Sequence, residues 1–114
     1  MSVKIIIKRK FKRPLVQENL RAIEALRIPA LKQKGYVSGE TLVNSEDHRE
    51  VVVLSTWSDF DVFNTWSNSQ ERAKLENELT PHLEGPAKIS AFMLGADAIN
   101  ETFGKIIHDS VVGV

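Results

Sequence analysis

Residues 35–43 read GYVSGETLV and residues 50–57 read EVVVLSTW, and the fold turns on how these two runs pair. Between them lies a polar connection, Asn44–Arg49, made of Asn, Ser, Glu, Asp, His and Arg. Two β-prone runs joined by so short a polar segment are read as adjacent antiparallel strands. In the second run, Val51, Val53 and Ser55 project to one face and Val52, Leu54 and Thr56 to the other, because successive strand side chains alternate. Both faces are thus largely apolar, whereas an antiparallel sheet with one wet face shows apolar–polar alternation. Both must be covered. A chain of 114 residues can cover one face with its own helices; the expected cover for the other is a second copy of the chain.

The length fits one domain with a real core. Lys plus Arg and Asp plus Glu are balanced at 15 each, so no overall field recruits nucleic acid or an acidic membrane. The absence of cysteine excludes disulfides, thiolate metal sites and cysteine nucleophiles. MSVKIIIKRKFKR at the N-terminus is too short in apolar residues for a signal segment, and no later run is long enough to span a bilayer. The expectation is a cytoplasmic protein with neither nucleic-acid nor membrane partners.

Outward from the central pair, Ser2 to Lys10 reads as a first strand, with Val3, Ile5 and Ile7 on one face. It runs into a basic cluster, Lys8, Arg9, Lys10, Lys12 and Arg13 around Phe11, read as a solvated strand end and loop rather than an anion site. Pro14 suits the first position of a helix whose apolar residues include Leu15, Leu20, Ile23 and Leu26. Pro29 is expected to kink or break that helix near Ile28, with Lys32 and Lys34 in its last turn and Gly35 as its C-terminal cap. Ser58 with Asp61, and Asn68 with Glu71, have capping spacing and predict two short helices with a bend between them. Ala87 to Leu94 reads as a fourth strand. Strand, helix, strand, strand, helices, strand is the split βαβ plan of an α+β ferredoxin-like domain, here residues 1–94. Residues 95–114 fall outside it, and their apolar stripe predicts an extension docked on its own domain or on the partner chain.

Taken together, GYVSGETL, VVVLSTWSDFDVFNTWSNSQER and LEGPAKISAF resemble the antibiotic-biosynthesis monooxygenase family of dimeric α+β barrels, from about Val3 to Leu94. The resemblance implies a four-stranded antiparallel sheet paired with a second chain into a homodimeric barrel. It also implies a reaction with no cofactor, neither metal nor flavin, in which an electron-rich aromatic substrate, a quinol or phenol, itself reduces dioxygen. Two functional readings stay open, because one fold hosts several activities. One is that monooxygenase; the other is a non-catalytic small-ligand-binding or stress-response dimer. A haem-binding branch of the family uses an Asn on the first strand, a Trp after the third and a His on the next helix. Here Trp66 matches the Trp, but Val3–Lys10 has no Asn, no His lies between His48 and His82, and Glu76 stands where the ligand would be. A carboxylate is a poor axial ligand for haem iron.

Trp66 and Tyr36 are the candidate catalytic residues: an indole N–H and a phenol, each able to face a substrate or peroxide oxygen. Glu40, Phe63, Asn64 and Arg72 are the candidate substrate-binding residues. Glu40 and Ser38 are expected on the same face as Tyr36, where an inward carboxylate needs a partner. Asn64 and Arg72 flank Trp66 as donors to an anionic substrate. The three histidines have no metal-binding spacing, and no phosphate loop or nucleophile elbow is present.

Overall fold

A computed structural model describes residues 2–99. Strand β1 (Val3–Lys10) leads to helix α1 (Gln17–Leu31), then strands β2 (Tyr36–Val43) and β3 (Glu50–Trp57). Helices α2 (Phe60–Ser67) and α3 (Gln70–Leu79), a 3-10 turn at Thr80–His82 and strand β4 (Lys88–Met93) complete the order. The strands form one antiparallel sheet in the order β2-β3-β1-β4, the ferredoxin-like arrangement. Fold class and element order are as the sequence predicts.

The alternation of β1 sets the two faces. Val3, Ile5, Ile7 and Arg9 are buried under the helices, while Lys4 and Lys8 are exposed on the other side. Register carries this phase across the sheet: Ile5 pairs with Ser55, Ile7 with Val53 and Arg9 with Val51, all on the helix-covered face. The core beneath the helices is divided. One cluster gathers Val3, Ile5, Ile7, Ala30, Trp57, Phe63 and Trp66; a second gathers Phe11, Ile23, Val51, Leu79 and Leu83. Between Ile7 of the first and Phe11 of the second, β1 places Arg9.

At several points the structure differs from the sequence reading. Helix α1 opens at Gln17 after Val16, not at Pro14, because the preceding segment is tied to neighbouring loops: Lys12 N–H donates to His82 O at 2.9 Å and Leu15 N–H to His48 O at 2.9 Å. Pro29 does not break the helix, which continues to Leu31; the proline removes one rung, its own N–H to the carbonyl four residues back, and the helix ends two residues later. Lys32 and Lys34 consequently lie beyond the last turn. Gly35 is not the cap of α1 but a later turn residue at φ +104°, and its carbonyl accepts from Ser58 N–H at 2.7 Å. A Cβ there would stand 2.5 Å from Ser58 Oγ, so glycine is required twice, by conformation and by space. The two short helices exist, but their caps are each one residue later than the spacing suggests. Asp59 accepts from Val62 N–H at 3.0 Å and Ser69 from Arg72 N–H at 3.1 Å.

A further difference lies in β2. Tyr36 pairs with Trp57 but Ser38 with Thr56, so one extra residue, Val37, bulges out of the ladder. The bulge reverses the phase of the strand. Tyr36, Gly39 and Thr41 share the helix-covered face, and Ser38, Glu40 and Leu42 lie on the open one. On that open face Leu54 stands between Glu40 and Ile6. The sheet's other edge is barer still: every residue of β4 is exposed, including Ile89, Phe92 and Met93. Residues 95–99 are helical, and the docking expected of the C-terminal extension lies outside the described residues from 100 onward.

Candidate functional site

A pocket opens where the two core clusters fail to meet. Its floor is Ile7, Arg9, Val53, Ser55 and Trp57 of the sheet, and its roof comes from all three helices. The space is about 480 Å³, part of it open solvent.

Aromatic rings build one end. Tyr36 meets Trp57 edge to face, with centroids 5.1 Å apart, and Trp57 meets Phe63 likewise at 5.5 Å. Trp57 commits its indole N–H to Ser55 Oγ at 3.0 Å, which fixes the ring at the centre of this set. Trp66, almost fully buried, adds a second indole from α2. Tyr36 reaches over Gly39, whose missing side chain leaves room for the phenol oxygen. The bulge at Val37 makes that approach possible, since without it Tyr36 and Gly39 would face opposite ways.

Charge builds the other end. Glu76 Oε1 accepts from Arg9 Nη2 and also from Arg72 Nη2, the latter at 3.1 Å. Arg72 and Glu76 are one helical turn apart on α3, and Arg72 Nη1 also reaches the Ser67 carbonyl at 3.3 Å. Burial pulls the Arg72 guanidinium below its ordinary pKa; the Glu76 carboxylate opposes this, and Arg9 adds to it. Arg9 is 2% exposed, and among the described residues its Nε and Nη1 meet no acceptor. At the far side Arg27 donates to Thr41 Oγ1 at 3.0 Å. Three guanidinium groups therefore line the pocket against one carboxylate.

Of the residues singled out in the sequence, Trp66, Tyr36, Phe63 and Arg72 surround this pocket. Glu40 and Asn64 do not. The bulge turns Glu40 to the opposite face of the sheet, and Asn64 sits on the exposed side of α2, where its Oδ1 accepts from Asn68 Nδ2 at 3.2 Å. Arg9 was hidden from sequence reading by its basic neighbours, although strict alternation from Val3 through Ile7 already puts it inward. Glu76 is held by two guanidinium groups. Among the described residues no three His, Cys, Asp or Glu side chains gather as a metal site, and no helix is long and apolar enough to cross a membrane.

The model of the antibiotic biosynthesis monooxygenase family matches residues 2–77. No curated protein matches the sequence. Several solved structures match the fold. A conserved protein from Methanosarcina mazei Go1 aligns at 18% identity with a TM-score of 0.73, over 81% of this chain and 91% of that one. SnoaB, a cofactor-independent oxygenase from Streptomyces nogalater, aligns at 14% identity and a TM-score of 0.71, over 81% of this chain and 91% of its own. Rv0793 from Mycobacterium tuberculosis aligns at 16% identity and a TM-score of 0.68, over 82% and 94%. At such identities the likeness is one of fold.

Proposed function

Because the chain belongs to the antibiotic biosynthesis monooxygenase family, we propose that it is a cofactor-independent monooxygenase oxidising an electron-rich aromatic substrate, a quinol or phenol, with dioxygen. The supporting observation is the pocket itself, where Trp66 and Tyr36 stand beside an aromatic wall and above a floor carrying excess positive charge. An ionised phenol is the form electron-rich enough to reduce dioxygen, and positive charge in a poorly hydrated site favours that form. The substrate supplies all four electrons: dioxygen places one atom on a ring CH ortho or para to the phenol oxygen, giving a quinone, and the other leaves as water with that ring hydrogen and a hydroxyl hydrogen. In this reading the indole N–H of Trp66 and the phenol of Tyr36 donate to the oxygen on which negative charge develops. Phe63 and Trp57 hold the ring and exclude water, and Arg72 adds to the field.

The working unit is proposed as a homodimer, joined through the open sheet face, whose centre is Ile6, Val52 and Leu54. Oxygen uptake by metal- and flavin-free protein tests the reaction, against a panel of hydroquinones and anthrone-like phenols. Saturable uptake above autoxidation is expected, falling about 100-fold in Trp66→Phe, the usual scale for loss of one oxyanion donor. Tyr36→Phe serves as the second variant. Uptake equal to autoxidation across the panel would remove the oxygenase and leave a ligand-binding dimer.

A further inference from the structure

We propose that the pocket receives an aromatic anion, whose charged group is taken by the unmatched donors of Arg9. The proposal deepens the oxygenase reading and rests on it only for the aromatic part of the ligand. Arg9 lies inside the fold at 2% exposure, and among the described residues its Nη2 is matched by Glu76 while Nε and Nη1 have no acceptor. Buried guanidinium donors are seldom left without acceptors, and those that are point to a missing water or ligand. The surroundings favour an anion. Glu76 is the single carboxylate of the lining, its Oε1 is already shared between Arg9 and Arg72, and Arg27 adds a third cation. The remaining wall is aromatic, with Tyr36, Trp57, Phe63 and Trp66 presenting flat apolar surface. A planar ring bearing one negative group satisfies both halves of the pocket. The group is either a carboxylate or an ionised phenol, which offer Arg9 the same acceptor oxygen.

Calorimetric titration under nitrogen tests this without turnover, with 2-naphthoate and its uncharged isostere 2-naphthamide as probes. The expected result is a preference of about tenfold or more for the carboxylate, the scale of one charge-assisted hydrogen bond. Arg9→Met should remove the preference while naphthamide still binds. Glu76→Gln should strengthen naphthoate binding by releasing both guanidinium groups, a gain that misfolding cannot mimic. Titration of 4-nitrophenol across its own ionisation distinguishes the two sources. Tighter binding on ionisation identifies a phenolate, and naphthoate preference without it identifies a carboxylate. Absence of both preferences, including failure of any probe to bind, overturns the proposal. So does an anion preference that survives in Arg9→Met, or naphthoate binding in Glu76→Gln that is unchanged or weaker. The oxygenase reading stands or falls separately. Anion preference without oxygen uptake removes that reading alone, and uptake without anion preference removes this one.

Discussion

At Gly39 one methyl group decides the shape of the pocket. A Cβ there would collide with the Tyr36 hydroxyl, and the ring cannot swing freely because it is packed edge to face on Trp57. Gly39→Ala is therefore expected to keep the fold, lose about 1–3 kcal/mol in chemical denaturation, and change ligand affinity through a displaced Tyr36. Unchanged stability together with unchanged affinity would show that Tyr36 is not seated as described. The residues at this scale were unequally legible. Trp66, Phe63 and Tyr36 announced themselves as aromatics on elements that any reading of the pattern would find. Arg9 did not, because a basic cluster looks alike whether its members are wet or buried, and only the two-residue period separates Arg9 from Lys8 and Lys10. Glu40 was misplaced for the complementary reason. Alternation was trusted through Val37, where the ladder carries an extra residue that no local composition marks.

Among the elements, α2 and α3 show what caps can and cannot announce. Capping spacing located both helices but chose Ser58 and Asn68, each one residue early; the side chains that accept are those of Asp59 and Ser69. Polar residues are adjacent at both starts, so sequence fixes the existence of the helix and geometry selects the donor pair. Ser69→Ala is expected to cost about 1 kcal/mol, and Asn68→Ala far less, as read from urea midpoints. Equal losses would mean that the cap at α3 is shared. A cap loss here also reaches the pocket, because the same turn orients Arg72 and, one turn on, Glu76. Pro29 teaches the converse. A proline costs the helix one rung, toward the carbonyl four residues back, and α1 carries that loss and ends two residues later.

For the whole molecule the deciding feature is the open face of the sheet. Ile6, Val52 and Leu54 form its apolar centre, and Lys4, Lys8 and Glu40 surround them. Such a surface suits a second copy, whose lysines can meet Glu40 across a two-fold axis. Sedimentation is expected to give a dimer at micromolar concentration. Leu54→Lys, on a half-buried side chain, should yield a folded monomer. A wild-type protein that sediments as a stable monomer sinks the dimer. The apolar centre of this face was readable from β3, whose valines and leucine leave neither side polar. The bareness of β4 was not, since edge position depends on where the helical layer stops rather than on the strand's own residues. Strand β2 joins the two surfaces, and its bulge has a consequence for comparison between relatives. Where a relative's second strand runs without the extra residue, matching positions in sequence order exchanges inside for outside beyond Val37. A residue known to touch ligand in that relative would be copied here onto the open face of the sheet, and an open-face residue into the pocket. Correspondence within this family is therefore to be counted from Trp57 and Leu54 across the ladder, by hydrogen-bonded neighbour, and not along the chain.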